Sequence, residues 1–163
     1  MKFSAQEEYG IRCLIRIGKY YDLGKSPTIP QISKEENISE HNAAKLLRVL
    51  RLGGFLESER GHMGGYSLSL PPEKIFITDV LNVLGGRLYS DEFCNNHSGI
   101  STICTNSIDC SVRSLWQIIQ DAVDKILSNL TLRDLLGKEE DLFTKLNRIL
   151  DEITPATKQN SCG

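Results

Sequence analysis

The chain has 163 residues, 40% of them hydrophobic and 25% charged, with a formal net charge of −2. That length and composition suit one domain, or a small domain plus an oligomerisation arm, with enough apolar residues to bury a core. No apolar run approaches the roughly 20 residues of a membrane span. The opening M-K-F-S-A-Q-E-E also lacks the apolar stretch of a signal peptide, so a cytoplasmic location is expected. Charge is uneven along the chain. Residues 1–70 carry ten Lys and Arg against eight Asp and Glu, and residues 71–163 carry nine against thirteen. The N-terminal part therefore has the sign that suits DNA.

Ser4 and Glu7 form an S-x-x-E capping box, which predicts a helix from Ser4 to about Tyr21. Its inner side is expected to hold Ile11, Leu14, Ile15, Gly18 and Tyr21, with Glu8, Arg12, Arg16 and Lys19 as a narrow polar stripe. Cys13 falls among the apolar positions and is expected to behave as a small buried hydrophobe. A short helix follows over about 29–36. Ser39 then caps a longer one, with Ala43, Ala44, Leu46, Leu47, Val49 and Leu50 inside, ended by Gly53-Gly54. Two short helices joined by a tight turn are a helix-turn-helix pattern. F-L-E-S-E-R and G-Y-S-L-S-L read as paired strands around a turn at residues 61–64, the wing of a winged helix.

After Pro71-Pro72, Thr78 is expected to cap a short helix through Leu84. From Ser111 to Leu130 a long amphipathic helix is predicted. Val112, Leu115, Trp116, Ile119, Ala122, Val123, Ile126, Leu127 and Leu130 lie on one broad face. So little chain is left to cover that face that a second subunit is expected there. Thr131 to Leu136 adds a helical turn, and residues 138–153 a further amphipathic helix. The tail after Pro155 is polar and expected to be disordered, with Cys162 a dangling thiol.

Between the two halves lies Phe93 to Cys110, F-C-N-N-H-S-G-I-S-T-I-C-T-N-S-I-D-C. Nine residues separate Cys94 from Cys104 and five separate Cys104 from Cys110. The filler is turn-forming and polar, so packing does not explain the thiols. In a reducing compartment a Cys cluster points to metal or redox chemistry rather than disulfides. Structural zinc brings Cys pairs two to four residues apart, which are absent here, whereas three thiolates suit an iron–sulfur cluster. Against an enzyme, the chain has no phosphate-binding glycine loop, no H-E-x-x-H and no nucleophile elbow. A pure electron-transfer protein would have no use for a helix-turn-helix and wing.

With M-K-F-S-A-Q-E-E-Y-G-I-R, I-S-E-H-N-A-A-K-L-L-R-V-L, E-R-G-H-M-G-G-Y-S-L, C-S-V-R-S-L-W and T-L-R-D-L-L, the chain resembles the IscR/NsrR/RirA/CymR family of bacterial winged-helix regulators. The resemblance covers roughly residues 1–137. It implies a mostly α fold with a small β-hairpin wing: a winged helix-turn-helix over 1–88, a cluster-binding loop over 89–110, a dimerisation helix and C-terminal helix over 111–154, and a tail over 155–163. The implied protein is a homodimeric regulator, a repressor by preference, that binds a double-stranded operator. DNA contacts fall on Ser39, His41, Asn42, Lys45 and Arg48, with Arg60-Gly61 as a minor-groove probe. Position 44 is Ala where some relatives carry a base-reading Glu.

The implied cofactor is an iron–sulfur cluster, 2Fe–2S ahead of 4Fe–4S, on Cys94, Cys104 and Cys110. Two features depart from IscR-like members. The first Cys interval is longer than theirs, and Arg113 stands where they place a ligating His; a guanidinium has no lone pair to offer iron. The remaining candidates for the fourth ligand are His97, an exogenous ligand and Glu8. NsrR-like relatives place a carboxylate from the partner's first helix at the position of Glu8, and the fourth ligand is assigned to it. The resemblance leaves one alternative within the family, a cluster-free regulator that senses a thiol or a partner protein.

Overall fold

The structure, a computed structural model, describes residues 4–59, 64–86, 89 and 109–153. Among these are seven α-helices, one two-stranded antiparallel sheet and a short 3-10 turn at Pro72–Lys74. No helix among the described residues is long and apolar enough to cross a membrane.

Helix α1 (Ala5–Asp22) opens on the expected capping box. Ser4 Oγ accepts from the Glu7 N–H at 3.2 Å, and Glu7 Oε2 accepts from the Ser4 N–H at 2.6 Å. Its buried side carries Cys13, Leu14 and Ile17, all fully shielded. Tyr21, expected inside, is 40% exposed. The inner face runs out at Gly18, against which Leu136 packs: a Cβ there would meet its methyl carbons at 2.9 Å, so the Leu136 side chain would have to shift.

Helix α2 (Ile29–Glu36) has its own capping box, Thr28 with Gln31, and stops at Asn37, whose φ of 53° ends the helix in a left-handed turn. Two residues later Ser39 caps α3 (Glu40–Leu52). The sequence thus leaves only Asn37, Ile38 and the cap Ser39 between the two helices, which forces the tight angle of a helix-turn-helix. Ile32 from α2 and Leu46, Leu47 and Leu50 from α3 join Leu14 and Ile17 in one core.

Strands β1 (Leu56–Ser58) and β2 (Tyr66–Leu68) pair with Leu56 opposite Leu68 and Ser58 opposite Tyr66. Leu56 and Leu68 are buried, so the hairpin is rooted in the core by its apolar pair. The Tyr66 N–H also donates to the Pro27 carbonyl at 2.9 Å. This contact explains Gly65. A Cβ at that position would lie 2.8 Å from the Pro27 carbonyl oxygen and closer still to that of Ser26. Backbone on backbone leaves room for glycine alone.

Helix α4 (Ile77–Leu84) corrects one expectation. Its N-cap is Phe76, not Thr78, and Thr78 Oγ1 is buried without a hydrogen-bond partner among the described residues. The cause is tertiary. Phe76 bridges Thr131, with the Ile77 N–H donating to the Leu130 carbonyl at 3.0 Å and the Leu132 N–H to that of Ile75 at 2.8 Å. This holds Phe76 extended, so the helix starts directly after it.

The same bridge ends α5 (Ser111–Leu127) short of the expected Leu130, because Leu130 must turn inward. Helix α6 (Leu132–Leu136), capped by the Thr131–Asp134 box, drives Leu132 into the core beneath α1. Helix α7 (Glu139–Ile153) then folds back, and Ile149, Leu142 and Leu146 close a second cluster with Ile77, Leu130, Ile126 and Leu127. The C-terminal half of the long helix's apolar face is therefore covered from within the chain. Its first half is not: Val112, Leu115 and Trp116 are 56%, 52% and 38% exposed.

Candidate nucleic-acid interface and cysteine centre

Helix α3 buries Ala43, Leu46, Leu47 and Leu50 and leaves Ser39, His41, Asn42, Lys45 and Arg48 exposed. Spacings of three and four place His41, Lys45 and Arg48 along one outward row, with Asn42 beside it. All five α3 candidates thus share the solvent side of the helix-turn-helix. Ser39 already has a structural duty, since its Oγ accepts from the Asn42 N–H at 3.2 Å. Arg60 and Gly61 lie outside the described residues.

A feature the sequence reading missed holds this unit in place. Glu36, at the end of α2, is only 6% exposed. Its carboxylate takes Arg12 Nε at 3.0 Å and Arg16 Nε at 2.7 Å, and its carbonyl oxygen takes Arg12 Nη2 at 3.2 Å. Arg16 also meets Glu35 at 3.2 Å, and Glu35 accepts the Tyr20 hydroxyl at 2.7 Å. In the polar stripe of α1, Arg12 and Arg16 therefore clamp α2, while Glu8 and Lys19 face solvent. The only signal in the sequence was its spacing of three and four, which also fits an exposed row.

Among the thiols, Cys13 and Cys110 fall within the described residues, and Cys94, Cys104, Cys162 and His97 outside them. Cys13 is fully buried. Burial first, and the Glu36 carboxylate second, push its thiol from an ordinary 9.0 to about 12, with Arg12 opposing. It stays protonated and enclosed, which suits packing and not metal binding.

Cys110 is different. It is half-buried, it is the N-cap of α5, and its Sγ accepts from the Arg113 backbone N–H at 3.4 Å. Cys110 thus stands at the junction between the Cys segment and the exposed half of the long helix. Arg113 contributes its backbone to that cap.

Upstream of the Cys segment, the end of α4 lies beside α1. Gln6 Nε2 donates to the Leu84 carbonyl, and Leu84 packs against Gly10. Glu8 is exposed, on the first turns of the same helix, and makes no ion pair with a described residue. Arg12, its neighbour one turn on, is committed to Glu36. A salt bridge within the helix is therefore not what occupies Glu8.

Two short helices with a tight turn, an exposed polar row on the second and a hairpin rooted beside it define a winged-helix DNA-binding protein. Residues 3–138 match the Rrf2 family, described as "Iron-dependent Transcriptional regulator", and the chain belongs to that family. It is similar to the HTH-type transcriptional regulator CymR of Bacillus subtilis (strain 168), at 33% identity over 136 residues, 83% of this chain and 89% of the relative. It is also similar to IscR of Escherichia coli O1:K1 / APEC, at 25% identity over 142 residues, 87% and 84% of the two chains.

Among solved structures, CymR (YrzC), the global cysteine regulator of B. subtilis, matches with a TM-score of 0.63 at 28% identity. The match covers 83% of this chain and 96% of that one. T. potens IscR matches at 0.65 with 25% identity, covering 83% and 86%. The protein is accordingly a transcriptional regulator of the Rrf2 family and not an enzyme.

Proposed function

We propose that the protein is a cytoplasmic, homodimeric repressor whose operator affinity is switched by an iron–sulfur cluster on Cys94, Cys104 and Cys110, with Glu8 of the partner subunit as fourth ligand. The observation that carries this reading is the position of Cys110. It caps the helix whose first half leaves Val112, Leu115 and Trp116 in solvent. A change at the thiol centre thus acts at the root of the segment best suited to join two copies. Cys110 also fits a sulfur ligand: it is partly accessible and accepts a backbone N–H bond, the kind of support that tunes cluster thiolates.

When bound, the cluster supplies a group that iron supply, oxidants or nitric oxide can alter. The protein's own residues do the rest. His41, Asn42 and Lys45 face base edges or phosphates, Arg48 faces phosphate, and the Ser39 O–H remains free to donate to a phosphate while its oxygen caps α3. Arg60, with Gly61, probes the minor groove. Two-fold operators demand fixed half-site spacing, so rotating the winged units about the dimer helix alters affinity without changing a base contact.

Anaerobically purified protein tests the cluster reading through its iron content, its absorbance and gel shifts of the loaded and apo forms. Loss of iron in Cys94→Ala, Cys104→Ala and Cys110→Ala, with folding retained, is expected. Glu8→Ala beside His97→Ala assigns the fourth ligand; a normal spectrum in the first and a lost one in the second moves it to His97. Arg60→Ala should weaken operator binding and lower its salt dependence.

A second reading is favoured by a specific observation, the 33% identity to CymR, together with Arg113 at the place of a ligating His. On that reading the protein is a cluster-free regulator that answers to a thiol compound or a partner protein. A colourless, iron-free preparation that binds its operator would select it.

A further inference from the structure

Helix α5 ends at Leu127, and by Leu132 the chain is back inside the core of the winged unit. Besides the bridge at Thr131 and the burial of Leu132, this junction has an ionic tie. Arg133 Nη1 and Nη2 donate to the two carboxylate oxygens of Asp22 at 2.8 and 3.0 Å, and Arg133 Nε donates to Glu73 Oε1 at 2.7 Å. Asp22 ends α1 and Glu73 lies in the 3-10 turn, so one guanidinium joins α6 to two separate parts of the winged unit. The side chains of Arg133, Asp22 and Glu73 are 39%, 43% and 57% exposed. Charge pairs so open to water add little to stability. What a two-pronged guanidinium–carboxylate contact adds is direction, because both N–H bonds hold only when the two planes are aligned.

The other contacts of α6 lack that direction. Leu136 packs on Gly18, one turn back along α1 from Asp22, and an apolar contact tolerates sliding. The backbone bonds from Ile77 to Leu130 and from Leu132 to Ile75 lie close together on either side of Thr131. They form a pivot that leaves α5 free to turn. Arg133 on Asp22 and Glu73 removes that freedom.

We propose that Arg133 is a positioning residue for operator recognition: it fixes the angle at which α5 carries the winged unit, and so sets the half-site spacing that a dimer accepts. This rests on the reading of the protein as a homodimer joined through α5. On a two-fold operator, one base pair more or less moves a half-site by about 3.4 Å and turns it by about 35°. To follow it, the winged unit must turn about the pivot at Thr131, and the ionic tie must open.

The test uses the full chain and a duplex that the wild type selects from a random pool. That duplex is compared with versions carrying one base pair more or one fewer at the centre, and with a single half-site. Arg133→Met keeps the stem and removes the tie. Asp22→Ala breaks the tie from the other side, and it serves if Arg133→Met fails to fold. The first variant loses a positive charge and the second a negative one, so a general change in attraction to DNA has opposite sign in the two. Each affinity, read by gel shift, is divided by that of the same variant for the single half-site.

The wild type should bind both re-spaced duplexes more weakly than the selected one. In both variants that penalty should shrink by between about twofold and fivefold for each subunit whose tie must open, the strength of an exposed charge pair. An unchanged penalty in both variants overturns the proposal. So does a penalty that shrinks in Arg133→Met and not in Asp22→Ala, which would make Arg133 a DNA contact. A wild type that is monomeric in ultracentrifugation, or that selects only one half-site, sinks the dimer reading itself, a failure visible before any variant is made.

Discussion

Replacing Glu36 by Gln should lower stability by about 2 kcal/mol. The estimate starts from two charge-assisted hydrogen bonds to a carboxylate whose side chain is 7% exposed, at 3.0 Å from Arg12 and 2.7 Å from Arg16. Bonds of this kind contribute about 1.5–3 kcal/mol each when buried. The arginines are 42% and 30% exposed, so they regain water when the carboxylate loses its charge, and the cost falls well below the full sum. Arg16→Met should cost at least as much, because it leaves a shielded carboxylate with one partner fewer. For a chain of this size, 2 kcal/mol corresponds to about 4–8 °C in melting temperature. Urea unfolding of wild type, both single variants and the double variant reads the coupling, which should lie between about 0.5 and 3 kcal/mol. Operator affinity should fall as well, since Glu36 ends the helix that sets α3. A strictly additive double variant, or single losses below about 0.5 kcal/mol, would refute the clamp.

Gly65→Ala should destabilise by about 1–3 kcal/mol, as expected of overpacking against backbone that cannot yield, and an unchanged melting curve would contradict the close approach at Pro27. Cys13 should resist alkylation at pH 8, where a thiol raised to about 12 is ionised in roughly one molecule in ten thousand, while Cys110 reacts. The same shift has a signed consequence for stability. The unfolded chain loses the Cys13 proton near pH 9.0 and the folded chain near pH 12, so the contribution is full below 9 and is lost as pH rises to 12. At about 1.4 kcal/mol per pH unit the loss is up to roughly 4 kcal/mol, and Cys13→Val should abolish that part of the slope in alkaline unfolding curves. Trp116→Glu, on the exposed half of α5, should convert the proposed dimer to a folded monomer in analytical ultracentrifugation; an unaltered dimer would move the interface elsewhere.

Local chemistry was legible in the residues themselves. The Ser4–Glu7 box, the Ser39 cap and the spacing of Leu46, Leu47 and Leu50 act within one or two turns, so adjacent residues suffice to place α1 and α3 and to turn His41, Lys45 and Arg48 outward. The burial of Cys13 followed from its apolar neighbours on the same face. Where distant segments meet, sequence order carried little information. Thr78 reads as a cap until the Phe76–Thr131 bridge fixes the residue before the helix. Leu132 looks like part of a C-terminal arm until α6 carries it under α1, and Arg12 and Arg16 look solvated until Glu36 arrives from 24 and 20 residues away. Gln120 passes for an ordinary helix residue until Tyr89 lies against it. Caps and periodic faces depend on torsions and neighbours a few residues apart, so the residues themselves carry most of that information. Ion pairs, bridges and buried amides depend on which surfaces the folded chain brings within 3 Å, and only the tertiary structure decides that.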